Sequence, residues 1–172
     1  MTVRFAVIVA VVMLLTPVRL FAQGRPAPLQ GVDTVTVKVS IAAPADILPH
    51  GLTEVRLQTL VELKLRGWGL QVMPAAEDAK APGIRPHVEL EITMLETRAV
   101  QKLAGYAFFM RLVAGEAGTS LRNGASVLNE LWSHSFLNVS DQKTVVADME
   151  RSTGELVDQF VNEWLRTRHA RP

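Results

Sequence analysis

Two stretches of strict alternation limit what this chain can fold into. Asp33–Ile41 reads DTVTVKVSI, with Val35, Val37, Val39 and Ile41 on one side and Thr34, Thr36, Lys38 and Ser40 on the other. His87–Met94 repeats the pattern, setting Val88, Leu90, Ile92 and Met94 against His87, Glu89, Glu91 and Thr93. Successive side chains of a strand point to opposite faces, so a period of two with β-branched residues predicts strands that are dry on one side and wet on the other. Such strands belong to a sheet covered on one face only, which favours antiparallel neighbours.

Two helices are expected to supply the cover. Between Thr53 and Arg66 the residues Val55, Leu57, Leu60, Val61, Leu63 and Leu65 form a broad apolar stripe. Thr53 is placed to cap it and Glu54 sits in the first turn, where the helix dipole favours a negative charge. Gly67 is expected to end the helix, with Trp68 folding back as the apolar partner of the stop, before a brief strand at Leu70–Met73. A second helix is predicted over Thr144–Arg168, where Met149, Thr153, Leu156, Val157, Phe160 and Trp164 recur at steps of three and four.

Asn123-Gly124 is the dipeptide that best suits a two-residue hairpin turn, here between strands at Gly105–Leu121 and Ala125–Val139. That turn places Arg122 opposite Ala125 and fixes the faces of both strands. Tyr106, Phe108, Met110, Leu112 and Ala114 then share the core side with Leu131, Leu137 and Val139, while Phe109, Arg111 and Val113 share the wet side with Trp132, His134 and Phe136. Gly115 and Gly118 are each able to host a bulge that reverses the sides for part of the hairpin.

The order strand, helix, strand, strand, hairpin, helix predicts an α+β fold, a single mostly antiparallel sheet with two helices packed on one face. At 172 residues the chain suits one domain, expected over residues 33–168 with a frayed tail at 169–172. Ahead of it, Met1–Ala22 has the order of a secretory signal peptide: Arg4, an apolar run from Phe5 to Leu15, then a stretch broken by Thr16, Pro17 and Arg19. The run is shorter than the roughly 20 apolar residues of a membrane span. Cleavage after Ala22 is expected, leaving no transmembrane segment in the mature chain, a flexible tether over residues 23–32, and a periplasmic or secreted protein.

Cysteine is absent, which closes disulfides, thiolate metal sites, thiol catalysis and lipid attachment through cysteine. Loss of Arg4 and Arg19 takes the 18 basic residues to 16 against 17 acidic ones, a net charge of −1. That balance argues against a surface that tracks phosphates, so no nucleic-acid partner is expected.

No enzyme signature stands out. His50, His87, His134 and His169 lie far apart, none with a ligand neighbour at metal-binding spacing. Ser133-His134-Ser135 reads as ordinary strand residues, because alternation turns His134 away from both serines. Glu89 and Glu91 share a solvated face and read as surface charge. Gly67-Trp68-Gly69 follows a helix, whereas phosphate loops precede one. No cofactor and no metal are expected.

What remains is the wet side of the hairpin, where Phe109, Trp132 and Phe136 around Arg111 form a patch suited to a protein, peptide or lipid partner. The bland alternative is that a loop, an inverted register or the tether covers it. The function expected is a non-enzymatic accessory domain that binds another cell-envelope component. The alternative is a small-molecule or lipid carrier with a pocket between sheet and helices lined by Phe108, Met110 and Phe160.

The chain resembles a family of small uncharacterised exported bacterial proteins on VELKLRGWGLQV (Val61 to Val72), Gly105-Tyr106-Ala107-Phe108, Leu131-Trp132-Ser133 and the run from Leu156 to Leu165. Its outline is also similar to the N-terminal domain of TolB and to lipoproteins of the penicillin-binding-protein activator type. In those, a strand, helix and strand precede a meander and a closing helix. These lipoproteins carry an acylated cysteine that is absent here.

Overall fold

The computed structural model describes residues 28–43, 48–74, 86–98, 104–120 and 122–169. The expected signal peptide, the first residues of the tether and the last three of the tail lie outside the described residues. The elements are β1 (Thr34–Ala42), α1 (Glu54–Gly67), β2 (Gln71–Met73), β3 (Pro86–Arg98), β4 (Ala104–Thr119), β5 (Ser126–Asp141) and α2 (Val145–His169). The strands form one open sheet in the order β2-β1-β3-β4-β5. β1 runs parallel to β2 and to β3, and β3, β4 and β5 form an antiparallel meander. The fold is α+β with a mixed sheet, whose antiparallel half holds its three longest strands. Parallel neighbours need a crossover, and α1 provides the one between β1 and β2.

Alternation sets the core as expected. Val35 and Val37 of β1, Val88, Leu90, Ile92 and Met94 of β3, and Phe108, Met110 and Leu112 of β4 are all buried under the helices. From α1 the core takes Leu57, Val61 and Leu65 and leaves Val55 and Leu63 exposed, so its apolar stripe is narrower than its composition suggests.

The start of α1 follows its sequence. Thr53 is extended and its Oγ1 accepts the Arg56 N–H at 3.1 Å. The stop is two residues later than Gly67. The Gly69 N–H donates to the Arg66 carbonyl (3.0 Å), the Leu70 N–H donates to the Leu65 carbonyl (3.1 Å), and Gly69 holds φ at +90°. This is the Schellman arrangement, which requires the left-handed residue just outside the helix and an apolar residue after it. Gly69 and the buried Leu70 fill those positions, packing Leu70 near Leu65, whereas Trp68 stays 51% exposed and is no lid.

α2 begins at a polar corner. Asp141 Oδ1 accepts the N–H groups of Lys143 (2.7 Å) and Thr144 (3.0 Å). Hydroxyl donation from Ser140, then from Thr144, holds the Asp148 carboxyl below the usual aspartate range. Near its other end the buried Trp164 indole N–H donates to the Val32 carbonyl at 2.6 Å. The Arg168 guanidinium lies 4.6 Å from the Trp164 ring centroid and reaches Asp33 Oδ1 at 3.1 Å. Leu29 and Val32 are buried, so the second half of the expected tether over 23–32 belongs to the packed body.

The hairpin register departs from expectation twice. Its loop closes between Ser120 and Ala125, through Ser120 N–H to Ala125 O and Gly124 N–H to Ser120 O, both 2.8 Å, with Gly124 at φ +68°. Asn123 contributes its side chain, accepting the Ala125 N–H at 3.1 Å, in place of a two-residue turn. A register shift then falls between Ala114 and Gly115: Gly115 pairs with Glu130 and Ala114 with Trp132, leaving Leu131 as the extra residue. Beyond this bulge Met110 faces Phe136 and Phe109 faces Leu137. Each pair is one residue from the two-residue-turn register, and in a strand one residue is a change of face.

Two changes test these contacts. Gly69→Ala forces a side chain into the left-handed region and is expected to cost about 1–2 kcal/mol in urea unfolding. Trp164→Phe strands the buried Val32 carbonyl and is expected to cost about 1–3 kcal/mol by the same measurement.

Candidate functional site: the uncovered face of the sheet

Both helices pack on the same side, so the other face of β3, β4 and β5 is built from whatever the ladder registers place there. Four cross-strand rows follow. Leu95, Ala107 and Val139 form the first and Thr93, Phe109 and Leu137 the second. Glu91, Arg111 and Ser135 form the third, and Glu89, Val113 and Ser133 the fourth. The first two rows carry an apolar patch spread over three strands: Leu95 is 61% exposed, Phe109 40%, Leu137 71% and Val139 66%.

The third row carries an ionic cluster that extends to Glu130, which pairs with Gly115. Arg111 pairs with Glu91 (3.4 Å) and with Glu130, and the Ser133 hydroxyl donates to the other oxygen of Glu130. The Ser133 hydrogen bond, with the Arg111 charge and hydrogen bond adding to it, holds the Glu130 carboxyl below the ordinary glutamate range, against the opposing effect of desolvation. One cation fixed between two anions gives the apolar rows a border of both signs.

The four residues expected to form a patch are divided between the faces. Phe109 and Arg111 lie in adjacent rows on the uncovered side. Trp132 and Phe136 lie on the helix side, half-buried against the core, where Trp132 meets Phe160 edge to face at 5.4 Å. The cause is the bulge, which exchanges the faces of Trp132 and Phe136 with those of Leu137 and Val139. The sequence reading therefore missed Leu137 and Val139 by placing them in the core. Gly115 was its only clue, since the shift occurs beside that residue.

An open concavity of about 300 Å³ lies between β5 and α2 and is lined by Trp132, His134, Gln159, Asn162, Glu163 and Arg166. His134 stacks on Trp132 at 6.3 Å, and Glu163 pairs with Arg166 at 3.1 Å. Facing-pair alternation puts Ser133 and Ser135 on the opposite side of the sheet from His134, so the tripeptide holds no nucleophile and base in contact. Phe108, Met110 and Phe160, expected to line a carrier pocket, are fully buried in the one core. Among the described residues no group of three or more His, Asp or Glu side chains is placed to hold a metal ion. Among them, too, no helix is long and apolar enough to cross a membrane.

No protein-family model matches the chain, and no curated protein matches it. Several solved bacterial structures align with it at low identity. The PelC dodecamer from Paraburkholderia phytofirmans is 12% identical, with 82% of this chain and 91% of that one aligned at a TM-score of 0.41. The hypothetical protein CT253 from Chlamydia trachomatis is 13% identical over 75% of this chain and 93% of that one, at 0.43. A minor lipoprotein from Acinetobacter baumannii is 12% identical over 83% and 99%, at 0.37. Likeness at this level assigns no function.

The division of the patch predicts unequal effects. Trp132→Ala removes a half-buried ring from Phe160 and is expected to cost about 2 kcal/mol. Arg111→Ala, on the uncovered face, is expected to cost no more than about 1 kcal/mol. Equilibrium denaturation of the two variants gives the comparison.

Proposed function

We propose that this protein is a non-enzymatic binding domain, exported to the cell envelope, that docks another envelope protein or peptide on the bare face of its sheet. The observation that carries the reading is the patch of Leu95, Phe109, Leu137 and Val139, contiguous across three strands and exposed on the side that neither helix covers. A monomer gains nothing from leaving such side chains in water, and apolar patches rimmed by polar groups mark interaction sites. The rim is the Glu91–Arg111–Glu130 cluster, whose mixed signs suit the polar border of a protein interface. An anionic lipid surface would instead be met by clustered Lys and Arg.

Carriage of a small molecule or lipid is less well supported, because the residues that would line an internal pocket are spent on the core. Export rests on the signal-like order of Met1–Ala22.

The test is in-cell photocrosslinking from position 137, with the captured partner identified by mass spectrometry. One discrete envelope protein is expected. Leu95→Thr with Phe109→Thr, which keeps strand preference while removing apolar surface, should abolish capture and leave the melting temperature within a few degrees of the parent. Capture that survives the double substitution, or a lipid co-purifying in place of a protein, would overturn the reading.

A further inference from the structure

β5 is an outer strand of the sheet and is 16 residues long, whereas the opposite outer strand, β2, has three. Natural proteins blunt long edges with Pro, Lys, inward-pointing charges or a covering segment. The sequence of β5, SVLNELWSHSFLNVSD, contains no Pro, Lys or Arg, and its two acidic residues, Glu130 and Asp141, lie outside the stretch from Leu131 to Ser140. Among the described residues nothing pairs with its free side.

The centre of this edge reads nearly the same in both directions: Trp132-Ser133-His134-Ser135-Phe136. Such a segment is self-complementary under a two-fold axis, because antiparallel pairing brings each residue opposite its mirror position. The backbone is turned the right way. The Val139 N–H donates to the Asn138 side chain at 2.8 Å, as an amide facing a free edge can, and antiparallel alternation then turns the backbone groups of Ser133 and Ser135 to that same edge.

We propose that β5 pairs antiparallel with β5 of a second copy about a two-fold axis at His134, joining the two sheets edge to edge. Ser133 then exchanges backbone hydrogen bonds with Ser135 of the second copy. His134 faces its own counterpart, and Trp132 faces Phe136 of the second copy, both in the closer, non-hydrogen-bonded kind of pair. Aromatic pairs and hydroxyl pairs are among the favourable cross-strand neighbours. The axis stands perpendicular to the sheet, so both helix layers lie on one side and both bare faces on the other. The aromatic pairs form on the helix side, where Trp132 and Phe136 are only half-buried in a single copy. The two clefts beside α2 meet across the axis, and each offers both an anion, Glu163, and a cation, Arg166.

The absence of cysteine makes the register directly readable. His134→Cys places two thiols opposite each other at a Cα separation of about 4.5 Å, inside the disulfide range of roughly 4.4–6.8 Å. Mild oxidation of the purified mature chain should convert most of this variant to a covalent dimer. Ser133→Cys and Ser135→Cys should link poorly alone and link to each other when mixed, while Arg151→Cys on the exposed side of α2 gives the collisional background. His134→Glu, which sets two carboxylates at the axis, should sediment as a monomer with unchanged circular dichroism, since His134 is exposed. A parent chain that sediments as a monomer throughout, or a position 134 that links no faster than position 151, would overturn the proposal. No envelope partner takes part in these measurements, so their outcome is separate from that of the docking test.

Discussion

Two helices must keep one entire sheet face dry, and the rest of the structure is arranged around where they stop. At 1.5 Å per residue, the 25 residues of α2 run about 37 Å, whereas β4 and β5, 16 residues each, run about 53 Å. The hairpin therefore outreaches its cover. The parallel half of the sheet is short enough to be dried by α1 and α2 together, and its end is held by the Trp164 hydrogen bond to Val32 and the Arg168 contact with Asp33. Val39, Ile41 and Val72 of that half are only partly buried, and the most exposed apolar strand residues, Leu95, Leu137 and Val139, lie on β3 and β5.

The register of that hairpin decides what the unmatched surface is made of. Up to Glu130, β5 keeps the register set by the Ser120–Ala125 closure; from Trp132 onward it is one residue displaced. The bulge turns Trp132 and Phe136 toward the helices and hands the open face to Leu137 and Val139. It also lets Trp132 reach Phe160, so the aromatic residues lost from the surface are gained at the margin of the core. Arg111 keeps its place and finds Glu91 on one neighbouring strand and Glu130 on the other, the second from just below the bulge.

What could be read from the sequence follows the same division. β1 and β3 were legible because a period of two admits no other face assignment, and both helices were legible from their stripes and from the Thr53 cap. The stop of α1 was misplaced because Gly67 and Gly69 are both glycines, and only hydrogen bonding reveals that Leu70 rather than Trp68 is the apolar partner. In β5 the alternation of Trp132, His134 and Phe136 against Ser133, Ser135 and Leu137 is plain, but which set faces inward depends on a turn and a bulge. Local residue types constrain each of these by less than one residue of register demands. The tether was misjudged because GRPAPLQG looks like a linker, and only the distant Trp164 and the surrounding core make Leu29 and Val32 part of the body.

These features assign different work to the two sides of β5. Its inner residues are bound into the ladder with β4, its helix side holds aromatic residues only half covered, its bare side holds exposed Leu137 and Val139, and among the described residues no strand lies beside its outer backbone groups. A strand that is incompletely buried in three directions is costly for an isolated domain and raises the hazard of unspecific pairing. Two copies joined at His134 would remove the free edge and cover the aromatic side while leaving the third direction, the bare face, open. The apolar rows of both copies would then border one seam, presenting a partner with a surface twice as wide as either sheet alone. Edge pairing and face docking are thus compatible uses of one strand, because alternation sends their side chains to opposite sides of the sheet.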